Sequence, residues 1–170
     1  VIVGAIAANA EIYRIGMGVA TVDDIGAAWR DAIANPVPPR TVEHGPIHDI
    51  VIQGPDLEGP GNGLESLPLP ISTPGFDAAP YLTMTGVITR DPETGVQNMG
   101  TYRGHLKSSG RLGMMMLANL NAGGLSHWKK YGAQGQRTPV AIVLGAPPVI
   151  AFQGPQRLSQ GVDELAVAGG

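Results

Sequence analysis

The chain has 170 residues, a formal net charge of −3 at pH 7, an isoelectric point near 5.7 and no cysteine. That balance, without a basic block, argues against a nucleic-acid surface, and the missing thiols exclude disulfides, thiolate metal sites and a cysteine nucleophile. The length suits one compact core, and no run of about 18 apolar residues is present to span a membrane.

The apolar opening VIVGAIAANA lacks the basic residues of a signal peptide, so a cytoplasmic protein is expected. Its abruptness, and that of the ending ELAVAGG, suggest a segment of a longer chain. With 25 glycines, 15 prolines and 5% aromatic residues, the composition does not favour long helices. A weak helix is predicted over 5–14 and a clearer one over 21–33. In the second, Thr21 is the N-cap, and Asp24 three residues on completes a variant of the capping box. Val22, Ile25, Trp29 and Ile33 then repeat at helical spacing until NPVPP stops the helix.

From 35 to 80 proline, glycine and polar residues prevail, with one short strand at HDIVI (48–52) and a surface connection through PGNGLESLPLP. Strands are predicted over 81–90, 96–106 and 111–118 as an antiparallel meander, the first two joined by a tight turn at Asp91 to Gly95. Met114, Met115 and Met116 read as core and strand filler. A helix over 122–132, a buried apolar strand over 139–145, a helix from Pro147 and Pro148 through 152 and another within GVDELAVAG complete the chain. The sum is an α+β domain, mainly antiparallel β and barrel-like, with short flanking helices.

The stretch TRDPETGVQNMGTYR (89–103) carries Asn98 and Arg103 on a strand with no hydrophobic alternation to explain them. Residues five apart point to opposite faces of a strand. Serving one site therefore needs a slip of phase, and Gly100 is where a bulge would sit. Such a slip would free backbone N–H groups beside a guanidinium, which together cradle a phosphate. The plain alternative is a surface strand end with an ordinary arginine. Glu164, with Asp163 in a first helical turn, either complements the helix dipole or serves with an amide oxygen as a ligand for a hard cation. His44, His48, His105 and His127 show no zinc-protease spacing and read as surface histidines, His105 sharing the face of Arg103. GMGVAT (16–21) lacks the preceding strand and later glycine of a dinucleotide loop, and neither G-x-S-x-G nor G-K-[ST] occurs.

In ESLPLP, YLTMTGVITRDPETGVQNMGTYR, PVAIVLGAPPVIAF and GVDELAVAGG the chain resembles the UbiD family of decarboxylases, which use prenylated flavin mononucleotide (FMN). The resemblance covers 38–170. It implies a split-barrel, FMN-binding-like cofactor domain over 36–170, with 1–35 as the end of an N-terminal domain or linker helices. It also implies that Asn98 and Glu164 hold a divalent metal, Mn2+, which bridges to the cofactor phosphate with K+ nearby. The family's third ligand is a histidine; here LANLNAGG offers Asn119 or Asn121, with Asn121 taken as the ligand. Arg103 is implied to be catalytic, in a glutamate–arginine–glutamate network beside the reactive flavin atoms. Both glutamates lie beyond the matching stretch, so the chain by itself is expected to be inactive. The backbone of Met99, Gly100, Thr101, Tyr102 and Arg103, with the loop Gly154, Pro155 and Gln156, is implied to lie along the phosphate.

The activity that goes with this resemblance is non-oxidative (de)carboxylation of an aromatic or α,β-unsaturated carboxylic acid. Its partners would be that acid, the remainder of the enzyme with its C-terminal domain, and further copies in a homo-oligomer. Two other readings stand beside it: a non-catalytic flavin- or phosphate-binding module, and a structural assembly domain.

Overall fold

The fold is that of a computed structural model, which describes residues 9–117, 122–159 and 161–170. Contacts group the chain into two units, not the single core that its length suggests. The first comprises Val1–Pro39, Met84–Thr101 and Met116–Gly170; the second comprises Arg40–Thr83 and Tyr102–Met115. The strands among the described residues are β1 (Tyr81–Leu82), β2 (Gly86–Arg90), β3 (Gln97–Gly100), β4 (Gly104–Ser108), β5 (Arg111–Met114) and β6 (Val140–Val143). The α-helices are α1 (Ala10–Met17), α2 (Ile25–Ala34), α3 (Gly123–Ala133), α4 (Pro148–Gln153) and α5 (Glu164–Val167).

The strands form two antiparallel three-stranded sheets, ordered β3-β2-β6 in the first unit and β1-β4-β5 in the second. The fold is therefore mixed helix and antiparallel sheet, as expected, with no closed barrel among the described residues. The expected meander over 81–118 is cut in two places. The first strand breaks between β1 and β2, where Met84 takes a φ of 52°, a conformation that costs a residue with a Cβ about 1–2 kcal/mol. The second breaks at 101–103, between β3 and β4. Each half keeps its own hairpin, but β3 and β4 belong to different sheets.

The turn joining β2 and β3 forms where its residues predicted. The Asp91 N–H donates to the Val96 carbonyl and the Gly95 N–H to the Asp91 carbonyl, each at 2.9 Å. Asp91 Oδ1 accepts from the Glu93 N–H at 2.9 Å, and Gly95 closes the turn at a φ of 76°, which glycine adopts without steric cost.

Of the helix expected over 5–14, residues 5–8 lie outside the described residues; α1 covers the rest, with Asn9 Oδ1 accepting the Glu11 N–H and Gly18 ending it at a φ of 70°. Thr21 donates to Asp24 Oδ2 from both its N–H (2.9 Å) and its hydroxyl (2.7 Å), and a 3-10 turn over Val22–Asp24 leads into α2. The expected apolar stripe of α2 is only half covered: Val22 and Ile33 are exposed, Ile25 and Trp29 are half-buried, and Ala32 is the buried residue. Phe152 of α4 is the reason Trp29 faces inward. Its ring meets Trp29 at 5.1 Å and Tyr13 of α1 at 4.9 Å, both edge to face, and each such pair contributes about 0.5–1.5 kcal/mol beyond its buried area. The rest of the first unit's core is Val87, Met99, Ala166 and Val167.

Three expectations fail for a common reason, the lack of a covering neighbour. HDIVI is no strand: Pro46–His48 form a 3-10 turn and Ile50 and Val51 lie exposed. The β preference of such residues is realised only against a partner, and neither sheet reaches them. The apolar run at 139–145 becomes the edge strand β6, with Val140 and Ala141 exposed. Strand β5 stops at Met114, leaving Met115 exposed beyond it.

Candidate functional site

In the first unit β3 is an edge strand, so alternate N–H groups point away from its partner β2 and need acceptors. The Met99 N–H finds one in Glu164 Oε2 at 3.0 Å, and the Thr101 N–H finds another in the Gly154 carbonyl at 3.2 Å. The free edge is thus covered by the first turn of α5 and the loop after α4. Asp163 caps α5, its Oδ1 accepting the Leu165 N–H at 2.9 Å, which leaves Glu164 as the first helical residue. Gly154 permits the approach to Thr101, since a Cβ there would fall on the Thr101 hydroxyl.

Asn98 directly precedes the first of these edge donors in sequence but points to a sheet face. It pairs with Thr89, and its amide lies against Gly123 at the start of α3, where any Cβ would overlap it. Its Nδ2 is buried with no hydrogen-bond partner among the described residues. Glu164 is only 7% exposed. Burial pushes its carboxyl above the usual carboxylate value, the Met99 N–H pulls the other way, and the Asp163 charge adds to the rise.

The ladder does not slip at Gly100. Pairing with β2 is regular through Val87 and Gly100, and the chain then leaves the sheet at Thr101. The Thr101 N–H, one of the donors expected to be free, is engaged by the Gly154 carbonyl. Tyr102 and Arg103 belong to the second unit, where the Arg103 guanidinium lies over the Tyr81 ring. Pro155 is exposed and Gln156 half-buried, its N–H bonded to the Gln153 carbonyl. Asn119 and Asn121 lie outside the described residues.

A second polar group beside this edge was not anticipated. His127, expected at the surface, is buried on α3, its Nδ1 2.8 Å from the Thr89 hydroxyl. Burial holds its ring below the usual histidine value; the Asp91 charge opposes this and the Lys130 charge adds to it. Lys130 Nζ reaches both Asp91 Oδ2 and Glu93 Oε2 at 2.7 Å. That hydrogen bond, with the turn N–H of Glu93, keeps the Asp91 carboxyl below its usual value. The signal was available: His127 and Lys130 are three apart on a helix and share a face, but nothing in the sequence says that this face meets the Asp91 turn.

Glu164 and Asn98 are the two residues of this edge that could serve a divalent cation. Both supply oxygen, one charged and one neutral, and the amide has a buried atom without a partner, its oxygen and nitrogen being interchangeable by a flip. An oxygen pair of this chemistry suits part of a hard-cation shell. No group of three or more histidine, cysteine, aspartate or glutamate side chains suited to a metal occurs among the described residues. No helix among them is long and apolar enough to cross a membrane.

The model of the UbiD 3-octaprenyl-4-hydroxybenzoate carboxy-lyase Rift-related domain matches residues 40–170. An uncharacterized protein, sll0936, of Synechocystis sp. is 35% identical over 124 residues, which is 73% of this chain and 23% of that protein. Among solved structures, the UbiD-class enzyme HmfF from Pelotomaculum thermopropionicum in complex with FMN superimposes with a TM-score of 0.81 at 29% identity, over 94% of this chain and 34% of that one. An evolved dimeric form of HmfF in complex with prenylated FMN gives 0.75 at 26%, over 95% and 36%. This chain therefore spans about a third of the length of those enzymes and about a quarter of the curated relative. A domain match over most of the sequence, with the same fold in UbiD-class enzymes, places this chain in the UbiD family.

Proposed function

We propose that this chain is the prenylated-FMN-binding part of a non-oxidative (de)carboxylase acting on an aromatic or α,β-unsaturated carboxylic acid. The observation that carries the reading is the buried Glu164 carboxylate on the Met99 N–H, with the neighbouring residue in sequence, Asn98, carrying a buried Nδ2 that has no hydrogen-bond partner among the described residues. The FMN and prenylated FMN bound to HmfF support the choice of cofactor.

In this reading Asn98 and Glu164 hold Mn2+, with Asn121 as a third oxygen donor and K+ close by. The negative charge of Glu164 and the neutral Asn98 oxygen leave a divalent ion net positive toward a phosphate. The backbone of Met99 to Tyr102 and the loop Gly154 to Gln156 flank that phosphate. Arg103 orients the substrate carboxylate, since a guanidinium presents two parallel N–H donors that match its two oxygens. The bound flavin supplies the electron sink for the charge left when CO2 departs. The split-barrel assignment over 36–170, an N-terminal domain ending near 35, a cytoplasmic homo-oligomer and a C-terminal domain bearing the catalytic glutamates belong to the same proposal.

The test is a calorimetric titration of FMN into the full native protein, with and without manganese, for wild type and Glu164→Gln. Manganese should tighten FMN binding in wild type, and the substitution should weaken that manganese-dependent gain about 10- to 100-fold. Equal affinities in all four conditions would leave Glu164 as a helix-terminus charge and return the chain to a binding or structural role.

A further inference from the structure

The second unit holds a cluster of its own. Tyr81 and His105 are register partners across β1 and β4, their rings stacked with centroids 4.5 Å apart and planes 12° from parallel. The Arg103 guanidinium carbon lies 5.5 Å from the centre of the same Tyr81 ring. Beyond it, the Lys107 ammonium is 2.7 Å from His105 Nδ1. An ammonium has only protons to give, so Nδ1 accepts and the ring proton sits on Nε2. That Nε2 is buried without a hydrogen-bond partner among the described residues, so the imidazole is held from one side by lysine and from its face by tyrosine. Gly113, the register partner of His105, makes room for the lysine stem: a Cβ there would meet Lys107 Cε at 2.9 Å.

Arg103 itself is exposed and lies in the irregular segment 101–103. Its four flexible side-chain torsions would leave the guanidinium plane undefined, yet two-pronged recognition of a carboxylate needs a defined plane. No ion pair to Arg103 is found among the described residues. The negative face of the Tyr81 ring attracts the cation and leaves the edge N–H groups for a ligand. The ring in turn is fixed by stacking on His105, which Lys107 anchors.

We infer that Tyr81, braced by His105, is a positioning residue for Arg103. The inference rests on the proposed role of Arg103 at the substrate carboxylate. Its test needs no substrate and uses the full native protein without cofactor. A urea-denaturation cycle compares Tyr81→Leu, Arg103→Ala and the double variant. The double variant should lose less than the two single losses combined, by a factor of about 2–5 in the folding equilibrium constant, the size of an exposed cation–π contact. Phenylglyoxal labelling of Arg103, followed by peptide mass spectrometry, should quicken about 2- to 5-fold in Tyr81→Leu and stay at the wild-type rate in Tyr81→Phe, which keeps the ring. If Tyr81→Leu does not fold, Tyr81→Ile, with its β-branched side chain suited to a strand, takes its place. Strictly additive losses, or unchanged labelling in the ring-less variant, overturn the inference. Failure here leaves the FMN titration untouched, and a flat titration leaves the Tyr81–Arg103 coupling untouched, so the two ideas fall separately.

Discussion

A carboxylate that is 7% exposed and accepts one backbone N–H is costly to keep ionised. The folded-state value of Glu164 is raised above 4.5, so the folded protein binds its proton more readily than the unfolded chain. The sign follows: the burial penalty is absent below about 4.5 and complete above the folded value. Glu164→Gln keeps an oxygen for the Met99 N–H and removes the charge. Without metal it should unfold at a urea concentration equal to or above wild type at pH 7, and the advantage should vanish below pH 4.5. Loss of stability at pH 7 would show that the charge itself is needed for folding. Gly123→Ala probes the other donor. Its methyl would overlap the Asn98 amide, and overpacking of this kind costs about 1–3 kcal/mol. The variant should lose that much stability in urea and lose the manganese-dependent part of FMN binding as well.

The hairpin β2–β3 and helix α3 act as one element because Thr89, His127, Asp91 and Lys130 join them. His127 faces the Thr89 hydroxyl, with Asp91 and Lys130 as the charges nearest it, and Glu93 beyond on the same lysine. Since its folded-state value lies below 6.5, the unfolded chain takes up the proton first as pH falls. Stability from this group is therefore present above pH 6.5 and declines as pH drops toward the folded value. His127→Asn retains a polar partner for Thr89 and removes the titration. The difference in urea midpoint between wild type and this variant should shrink or reverse from pH 7.5 to 5.5; a constant difference would refute the assignment. At the other end of the hairpin, Gly95 holds a φ of 76°, so Gly95→Ala should cost about 1–2 kcal/mol, read as a lower urea midpoint.

At the scale of the molecule, large apolar side chains remain at the surface, Ile47, Ile50 and Phe76 among them, and few residues are fully buried. A ligand that binds only the folded chain adds to its stability. FMN with manganese at about 100 times its dissociation constant should add about 2.7 kcal/mol, seen as a higher melting temperature by scanning fluorimetry. A chelator should remove most of that rise in wild type and little in Glu164→Gln. A rise that is the same with and without chelator would separate flavin binding from any metal.

What local chemistry can specify, the sequence by itself determined. The Asp91–Gly95 turn, the Thr21–Asp24 cap, the proline start of α4 and the first-turn place of Glu164 all follow from residues within a few positions of each other. The order of its motifs was enough to indicate the family. Partners distant in the chain had to come from the tertiary structure. Only it separates β3 from β4 into two sheets, since alternation looks alike on either side of 101–103. Only it sets Glu164 on Met99, 65 residues away, and Asn98 on Gly123. The same holds for burial: His127 and the exposed Val140 have side chains that allow either fate, and a covering neighbour, present for one and absent for the other, decides it.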